Sequence, residues 1–504
     1  MSTDRKPQAL PPESARRSAR RIALIVAGVI GAILLGTALT VLVESFRALN
    51  VEAGGPCGMS RREWHGPCPR GTAWMRPVSA IAVFVSFVAV VFGVFRVGSL
   101  RLGCLGTVLL IPVGILPGLA VFHRSHGRTL TPLWHAPPDR PITAEGLGGW
   151  VSGTTVVRAR FDRLVGYDVA TGVHRWTYPV PGGDLLCAMS RAAAGDVGLI
   201  GHGAGAQPCS RVTAIDLDTG RALWERRVPA DSSSSAINAD VLAATDGTAA
   251  VRTSGLLLGL RLRDGALIWQ DRAADSCRFA TVAASGDQVL TTVSCPGALP
   301  EIRAVDAGTG RTRWHTEAPI QDVLADVRPL SADPAVVLIR NSGKWGFGFV
   351  ASFDESGRPQ ATIPVEDGEL LDVSDRAFRA APARGLVVQD GLLVTAAYVP
   401  GGPYRLVAYG LADGRLRWSA KTGYVAAIQA EPGRVHILNN SFWAPGLWTV
   451  SLRDGRLTFV AALRTRRSFN GAALYSAGGR YIVVAERAVT PGSSPISAFR
   501  APPG

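Results

Sequence analysis

Lysine is nearly missing from this chain. It occurs only at positions 6, 344 and 421, so Arg supplies 50 of the 53 basic residues, and the formal net charge is +14. That balance reflects either a compositional preference for Arg, Ala and Gly or attraction to an anionic surface such as phospholipid or a wall polymer. No basic stripe with interleaved aromatics is present, which argues against a nucleic-acid partner. The eight His, at 65, 123, 126, 135, 174, 202, 315 and 436, form no HExxH or other metal-ligand spacing. No CxxC, no pair of adjacent cysteines and no Gly-x-Ser-x-Gly elbow occurs, so zinc-ribbon and hydrolase-elbow readings lose their usual signatures.

The long apolar runs are confined to one end. Residues 1–21 are polar and basic, with Arg5, Lys6, Arg16, Arg17, Arg20 and Arg21. Uncharged runs then cover 22–43, 78–95 and 102–122, the last interrupted by Pro112 and Pro117. At a rise of about 1.5 Å per residue each can cross a hydrocarbon core of about 30 Å. We read three transmembrane helices in the lipid bilayer of the plasma membrane. The first is too long for the apolar core of a cleaved signal peptide, and two more follow it. The basic tail places the N-terminus in the cytoplasm. Three crossings then put everything after residue 122 outside, with 44–77 an external loop and 123–132 a linker. The arginines at 47, 61, 62, 70 and 76 in that loop weaken the charge rule.

Six of the seven cysteines fall as near neighbours: Cys57 with Cys68, Cys187 with Cys209, Cys277 with Cys295. Two crossings separate the first pair from the others, so all six share one side of the membrane whatever the orientation. Pairing on one side suggests the oxidising side and disulfides, with nearest-neighbour connectivity the simplest assignment. Cys104 falls in the third span and reads as a lone buried thiol.

Beyond residue 132 the chain is repetitive. A glycine is followed four residues later by tryptophan at Gly172/Trp176, Gly220/Trp224, Gly265/Trp269, Gly310/Trp314 and Gly414/Trp418. Gly455/Phe459 keeps an aromatic and Gly357/Ala361 has lost it. Successive glycines lie 48, 45, 45, 47, 57 and 41 residues apart, a period that marks a solenoid or a propeller. Within one period Val212–Ile215 reads as a strand, Asp216–Gly220 as a tight turn, and Arg221–Glu225 as the returning strand. The rest of the period has room for two more short strands, which is the size of a propeller blade. The tryptophan lies on the returning strand and can cover the neighbouring blade. The fifth unit is degenerate, with Pro359-Gln360 where strand is expected. The sixth carries an insertion, Pro400-Gly401-Gly402-Pro403.

The ring also has to close. The chain ends with Ile496-Ser497-Ala498-Phe499-Arg500, which matches Ile302–Asp306 but stops before a returning tryptophan strand. Leu133-Trp134-His135-Ala136-Pro137 resembles Arg313–Pro319 and supplies it. Seven full motifs then make eight blades with no open edge.

These residues carry a family likeness. Ala214-Ile215-Asp216-Leu217-Asp218-Thr219-Gly220-Arg221-Ala222-Leu223-Trp224 resembles the repeat of the pyrroloquinoline quinone-like (PQQ-like) propeller superfamily, over about residues 133–500. The resemblance implies an all-β eight-bladed β-propeller, here spanning 133–504 and preceded by a three-helix transmembrane region. It is specific for fold and weak for activity, because quinoprotein dehydrogenases and a non-catalytic lipoprotein propeller of outer-membrane assembly share the repeat. Alcohol-oxidising members carry adjacent cysteines, absent here, and hold PQQ with calcium through carboxylate and amide oxygens. The regular aspartates Asp168, Asp216, Asp306 and Asp354 fall one per blade at the same turn, where capping explains them. The expectation is therefore an extracytoplasmic binding or scaffolding module for a protein or cell-envelope component, without catalytic residue, cofactor or metal. The alternatives are a membrane-bound PQQ-dependent dehydrogenase and a ligand-sensing propeller signalling through the helices. Among lesser motifs, Gly201-His202-Gly203-Ala204-Gly205 reads as a flexible loop and Asp231–Ser235 as a polar one. His123 and His126 read as interfacial residues beyond the third span.

Overall fold

The computed structural model describes residues 13–50, 59–60, 63–64, 68–96, 100–139, 146–204, 209–229, 239–342, 348–373, 385–399, 402, 404–440, 445–464, 472–485 and 494–501. The chain divides into a helical unit within residues 1–129 and a β unit from Leu130 onward.

The helical unit contains α1 (Glu13–Ala48), α2 (Thr72–Arg96), α3 (Leu100–Leu110) and α4 (Ile115–His126), the last two joined by a 3-10 turn at Ile111–Gly114. Three segments are long and apolar enough to cross a membrane: Ile25–Ala48, Thr72–Phe95 and Gly103–His126. The third runs through α3, the 3-10 turn and α4. Pro112 lies in that turn, where its missing N–H and its ring disfavour a continuous α-helix. The helices meet through small residues. A Cβ on Gly36 would stand 2.0 Å from the carbonyl oxygen of Ile111, and one on Gly114 would stand 2.3 Å from that of Ile33. Such close backbone approach replaces the hydrophobic drive that apolar surroundings cannot supply. Large apolar side chains, among them Phe84, Phe92, Phe95, Leu105 and Leu116, face outward. Two readings need correction here. Cys104 is a free thiol on the exposed helix surface, so it is not buried. His126 lies inside α4 and is buried; it stacks on Phe122 with centroids 4.9 Å apart, and its Nδ1 is 2.9 Å from the carbonyl oxygen of Arg70. Residues 1–129 also hold 15 basic and 5 acidic residues, so +10 of the +14 belongs to this unit.

The β unit is an eight-bladed propeller whose blades are antiparallel sheets. The first runs Gly146–Ser152, Thr155–Arg160, Arg163–Asp168, His174–Pro179, and the second Asp184–Met189, Val197–Ala204, Arg211–Asp216, Ala222–Arg227. The third to fifth repeat this order from Leu242, Arg278 and Asp326. The sixth is divergent: Leu370–Leu371 and Leu386–Gln389 both pair with Leu392–Tyr398. The seventh starts at Tyr424 and has a short fifth strand at its outer edge, ending at Leu130. The eighth combines Ala472–Ala477, Arg480–Ala485 and Ile496–Arg500 with Pro132–His135, Trp134 standing opposite Ala498. The fifth blade keeps its outer strand, Pro359–Pro364, despite the proline pair. Prolines are tolerated at its ends because an outermost strand needs only one ladder partner.

There is no single core. Each of the eight blade junctions has its own buried apolar cluster; Trp134, Val156, Val169, Ile482, Val484 and Ala498 fill the one between the eighth and first blades. Second strands sit between neighbours on both faces, so Thr155–Arg160 is buried throughout.

The glycine–tryptophan register works between blades. Each tryptophan lies against the turn glycine of the next blade: Trp134 on Gly172, Trp176 on Gly220, Trp224 on Gly265, Trp269 on Gly310, Trp314 on Gly357 and Trp418 on Gly455. Gly172 adopts φ +72°, where a side chain is strained, and a Cβ there would also stand 2.4 Å from the Trp134 ring. Five of the indoles donate N–H to the carbonyl three residues before that glycine, at Val169, Leu217, Leu262, Ala307 and Leu452, over 2.8–3.2 Å. The sixth, Trp314, meets a turn one residue shorter and stacks on Phe353 at 5.9 Å. Where Ala361 has replaced tryptophan, the hydroxyl of Ser352 donates to the equivalent carbonyl, Leu411, at 2.5 Å.

Candidate binding surface

The up-and-down order of each blade gives the ring two unlike rims. Turns between first and second and between third and fourth strands share one rim. The second-to-third loops and the blade-to-blade connections share the other.

On the turn rim the regular aspartates are fully engaged by their own turns. Asp216 accepts from the amides of Asp218 and Thr219 at 3.0 and 2.8 Å. Asp306 accepts from the amide and hydroxyl of Thr309 at 2.9 and 2.8 Å and from Arg313 at 2.6 Å. Hydrogen bonds from Arg313, then Thr309, hold its carboxyl down at about 2. Partial burial pushes the Asp168 carboxyl up, but Arg175 and Thr171 outweigh it and bring it to about 2. Asp354 accepts from Ser356 and from the Arg358 amide. These carboxylates stand one per blade around the ring and do not converge.

The loop rim carries the disulfides. Cys187–Cys209 ties the inner strand of the second blade to the entry of its third strand, with 5.7 Å between Cα atoms. Cys277–Cys295 ties the entry of the fourth blade to the end of its second strand, at 4.2 Å. Cys68 is also disulfide-bonded, and Cys57 lies outside the described residues. So do Asp231–Ser235 and, apart from Gly402, the Pro400–Pro403 insertion.

Beside the Cys187–Cys209 bridge, residues 201–204 are part of a strand, where a flexible loop was expected. His202 is buried, with Nδ1 2.9 Å from Asp184 and Nε2 3.0 Å from the Thr213 hydroxyl. The order Asp–His–hydroxyl is that of an activated nucleophile. Here His202 and Thr213 are 0 % exposed, which leaves no room for a substrate, and the trio fastens the first three strands together. A similar tie joins the seventh and eighth blades: His436 reaches Glu431 at 3.1 Å and Thr449 at 3.2 Å and lies edge-on to Tyr481.

The channel was not legible from sequence. First strands of successive blades approach one another and form its wall. Arg191, from the second blade, extends to the carbonyl oxygen of Pro329 in the fifth blade at 3.0 Å and to Asp240, at the entry to the third, at 2.5 Å. Asp240 is 2 % exposed. One guanidinium thus links the segment after the inner strand of the second blade, the 3-10 turn before the third and the inner strand of the fifth. No local motif announces it, because its partners are 138 and 49 residues away.

Calcium with a quinone would need a convergent set of oxygen donors. Among the described residues no group of three or more His, Cys, Asp or Glu is placed to hold a metal ion. The motif residues occupy the blade junctions, and Phe459 faces Trp448 within the seventh blade at 5.0 Å.

Residues 123–320 match the family model described as outer membrane protein assembly factor BamB, and the resemblance to PQQ-like propellers therefore holds at the level of the repeat. Among solved structures, BamB from Moraxella catarrhalis is 16% identical with a TM-score of 0.44, covering 70% of this chain and 95% of that one. The computationally designed Ika8 protein is 12% identical with a TM-score of 0.46, covering 74% of this chain and 100% of that one. The quinohemoprotein alcohol dehydrogenase ADHIIG from Pseudomonas putida HK5 is 12% identical with a TM-score of 0.43, covering 74% of this chain and 75% of that one. No curated protein matches the chain.

Proposed function

We propose that this chain is a membrane-anchored propeller that binds or scaffolds a protein or envelope component through its rims, on the extracytoplasmic side of the plasma membrane. The observation that carries the reading is Arg191. It links the second, third and fifth blades at the axis, and the loops and turns of the rims are the surfaces offered to a partner. Three further features support it. The helices are long and apolar enough to anchor the chain. The two propeller disulfides suit an oxidising compartment. The turn aspartates are committed to structure. Propellers offer broad loop surfaces, and the repeat brings no chemistry of its own.

The test is crosslinking in intact membranes followed by identification of captured proteins, with the propeller disulfides left oxidised. Specific capture that is lost when loop-rim residues are substituted supports the reading. Quinone absorbance with calcium-dependent dye reduction by the purified chain would replace it with the dehydrogenase. Orientation is tested separately by reporter fusions at Gly504, for which an extracytoplasmic signal is expected.

A further inference from the structure

The sixth and seventh blades meet on the loop rim in a group of aromatic residues that the repeat does not require. Tyr398 ends the second strand of the sixth blade, Tyr404 begins its third, and Tyr424 begins the seventh blade. Tyr398 and Tyr404 face each other across the ladder with ring centroids 5.7 Å apart, and Tyr424 meets Tyr404 edge-on at 5.6 Å. The chain has only eight tyrosines, so three in one contact is a concentration. All three are half-buried, which leaves part of each ring open.

The polar groups around them are unusual. Among the described residues, the Tyr398 and Tyr404 hydroxyls have no protein partner. Thr422, whose amide donates to the Tyr404 carbonyl at 3.0 Å, has a buried hydroxyl without a hydrogen bond. Asn439, packed against Gly423, has a buried side-chain oxygen in the same state. An orphaned buried polar atom costs about 1–3 kcal/mol, so two beside one aromatic group call for an explanation.

We propose that this junction is a carbohydrate-binding subsite. A pyranose presents an apolar C–H face and an edge of hydroxyls. Open tyrosine rings suit the first, and phenols, an amide and a threonine hydroxyl suit the second. A proline-rich peptide also docks on aromatic surfaces. It has no polar edge comparable to a sugar's hydroxyls, so it does not answer the unpartnered polar atoms here. This subsite deepens the binding reading given above and names a ligand class for it.

The experiment uses the full chain in detergent. The probes are N-acetylglucosamine hexamer, cellohexaose, maltohexaose and a proline octapeptide, read by calorimetry and tyrosine fluorescence. At least one oligosaccharide is expected to bind, with Tyr398→Ala plus Tyr404→Ala weakening it at least tenfold at an unchanged melting temperature. Tyr404→Phe is expected to retain part of the binding, since it keeps the ring. If that double variant fails to fold, Thr422→Val and Asn439→Leu replace it, and the same loss of binding is required. No binding of any oligosaccharide, binding unaffected by these substitutions, or binding of the peptide alone would each overturn the proposal. A protein captured by crosslinking would leave the scaffold reading intact in every one of these cases.

Discussion

Trp134 lies over Gly172 and donates its indole N–H to the Val169 carbonyl at 3.0 Å, which fastens the last blade of the ring to the first. Trp134→Ala removes a buried indole and opens a cavity, a change that costs about 3–5 kcal/mol. The guanidinium midpoint of the propeller transition should fall accordingly. Gly172→Ala should also destabilise, since it adds strain at positive φ to a clash with that indole. Gly183→Ala is the control: Gly183 shares the positive φ, but a Cβ there meets nothing within 4 Å, so only the backbone cost of about 1–2 kcal/mol should appear. Equal losses for the two glycine variants would mean that the indole contact contributes nothing.

Ser352 takes over where the fifth blade has lost its tryptophan. Ser352→Ala leaves the Leu411 carbonyl without this donor, and a loss of about 1–3 kcal/mol is expected. Valine at the same position should do no better, since it restores volume without the hydroxyl. Thermal unfolding of both variants against the parent decides the matter.

Acid should loosen the turn rim in a defined window. The Asp306 carboxyl sits at about 2 in the folded chain, against an ordinary value near 3.9. A depressed folded value means the group stabilises above its unfolded value and that this contribution is lost as pH falls from about 4 toward 2. Urea midpoints should therefore fall across that interval, and Asp306→Asn should flatten the fall. A slope unchanged by the substitution would show that Arg313 and Thr309 do not hold the charge.

Thiol labelling separates the cysteines. Cys104 should react with a membrane-permeant maleimide without reductant, whereas Cys187, Cys209, Cys277 and Cys295 should react only after reduction. Loss of the 187–209 bridge, which closes a separation of 22 residues, should cost about 3 kcal/mol in a denaturant series. Labelling of all five thiols in the native chain would contradict both the bridges and an oxidising location.

The blade count was legible because a turn glycine and a tryptophan obey local rules that recur at fixed spacing. Even the displaced strand at Trp134 could be found by its likeness to Arg313–Pro319. Sequence failed where tertiary context overrode local preference. Residues 201–204 look like a loop by composition, yet neighbours on both sides make them strand and bury His202. Pro359-Gln360 looks unlike strand, yet an outer strand tolerates it. Ser352 and Arg191 left no trace, since their partners lie 59 and 138 residues away and belong to no motif. The tyrosine group was invisible for the same reason: Tyr404 and Tyr424 belong to different blades.

The strand Pro132–His135 has a further consequence. It pairs with Ser497–Phe499, and His135 shares a hydrogen bond with Ser497 across 362 residues. A ribosome delivers the first member of that sheet long before the last. Until Arg500 emerges, the nascent domain is an arc with two bare flanks, each a template for another chain. The interval between those two syntheses is when the protein is most exposed to misassembly, and a truncation before Ile496 would make that interval permanent.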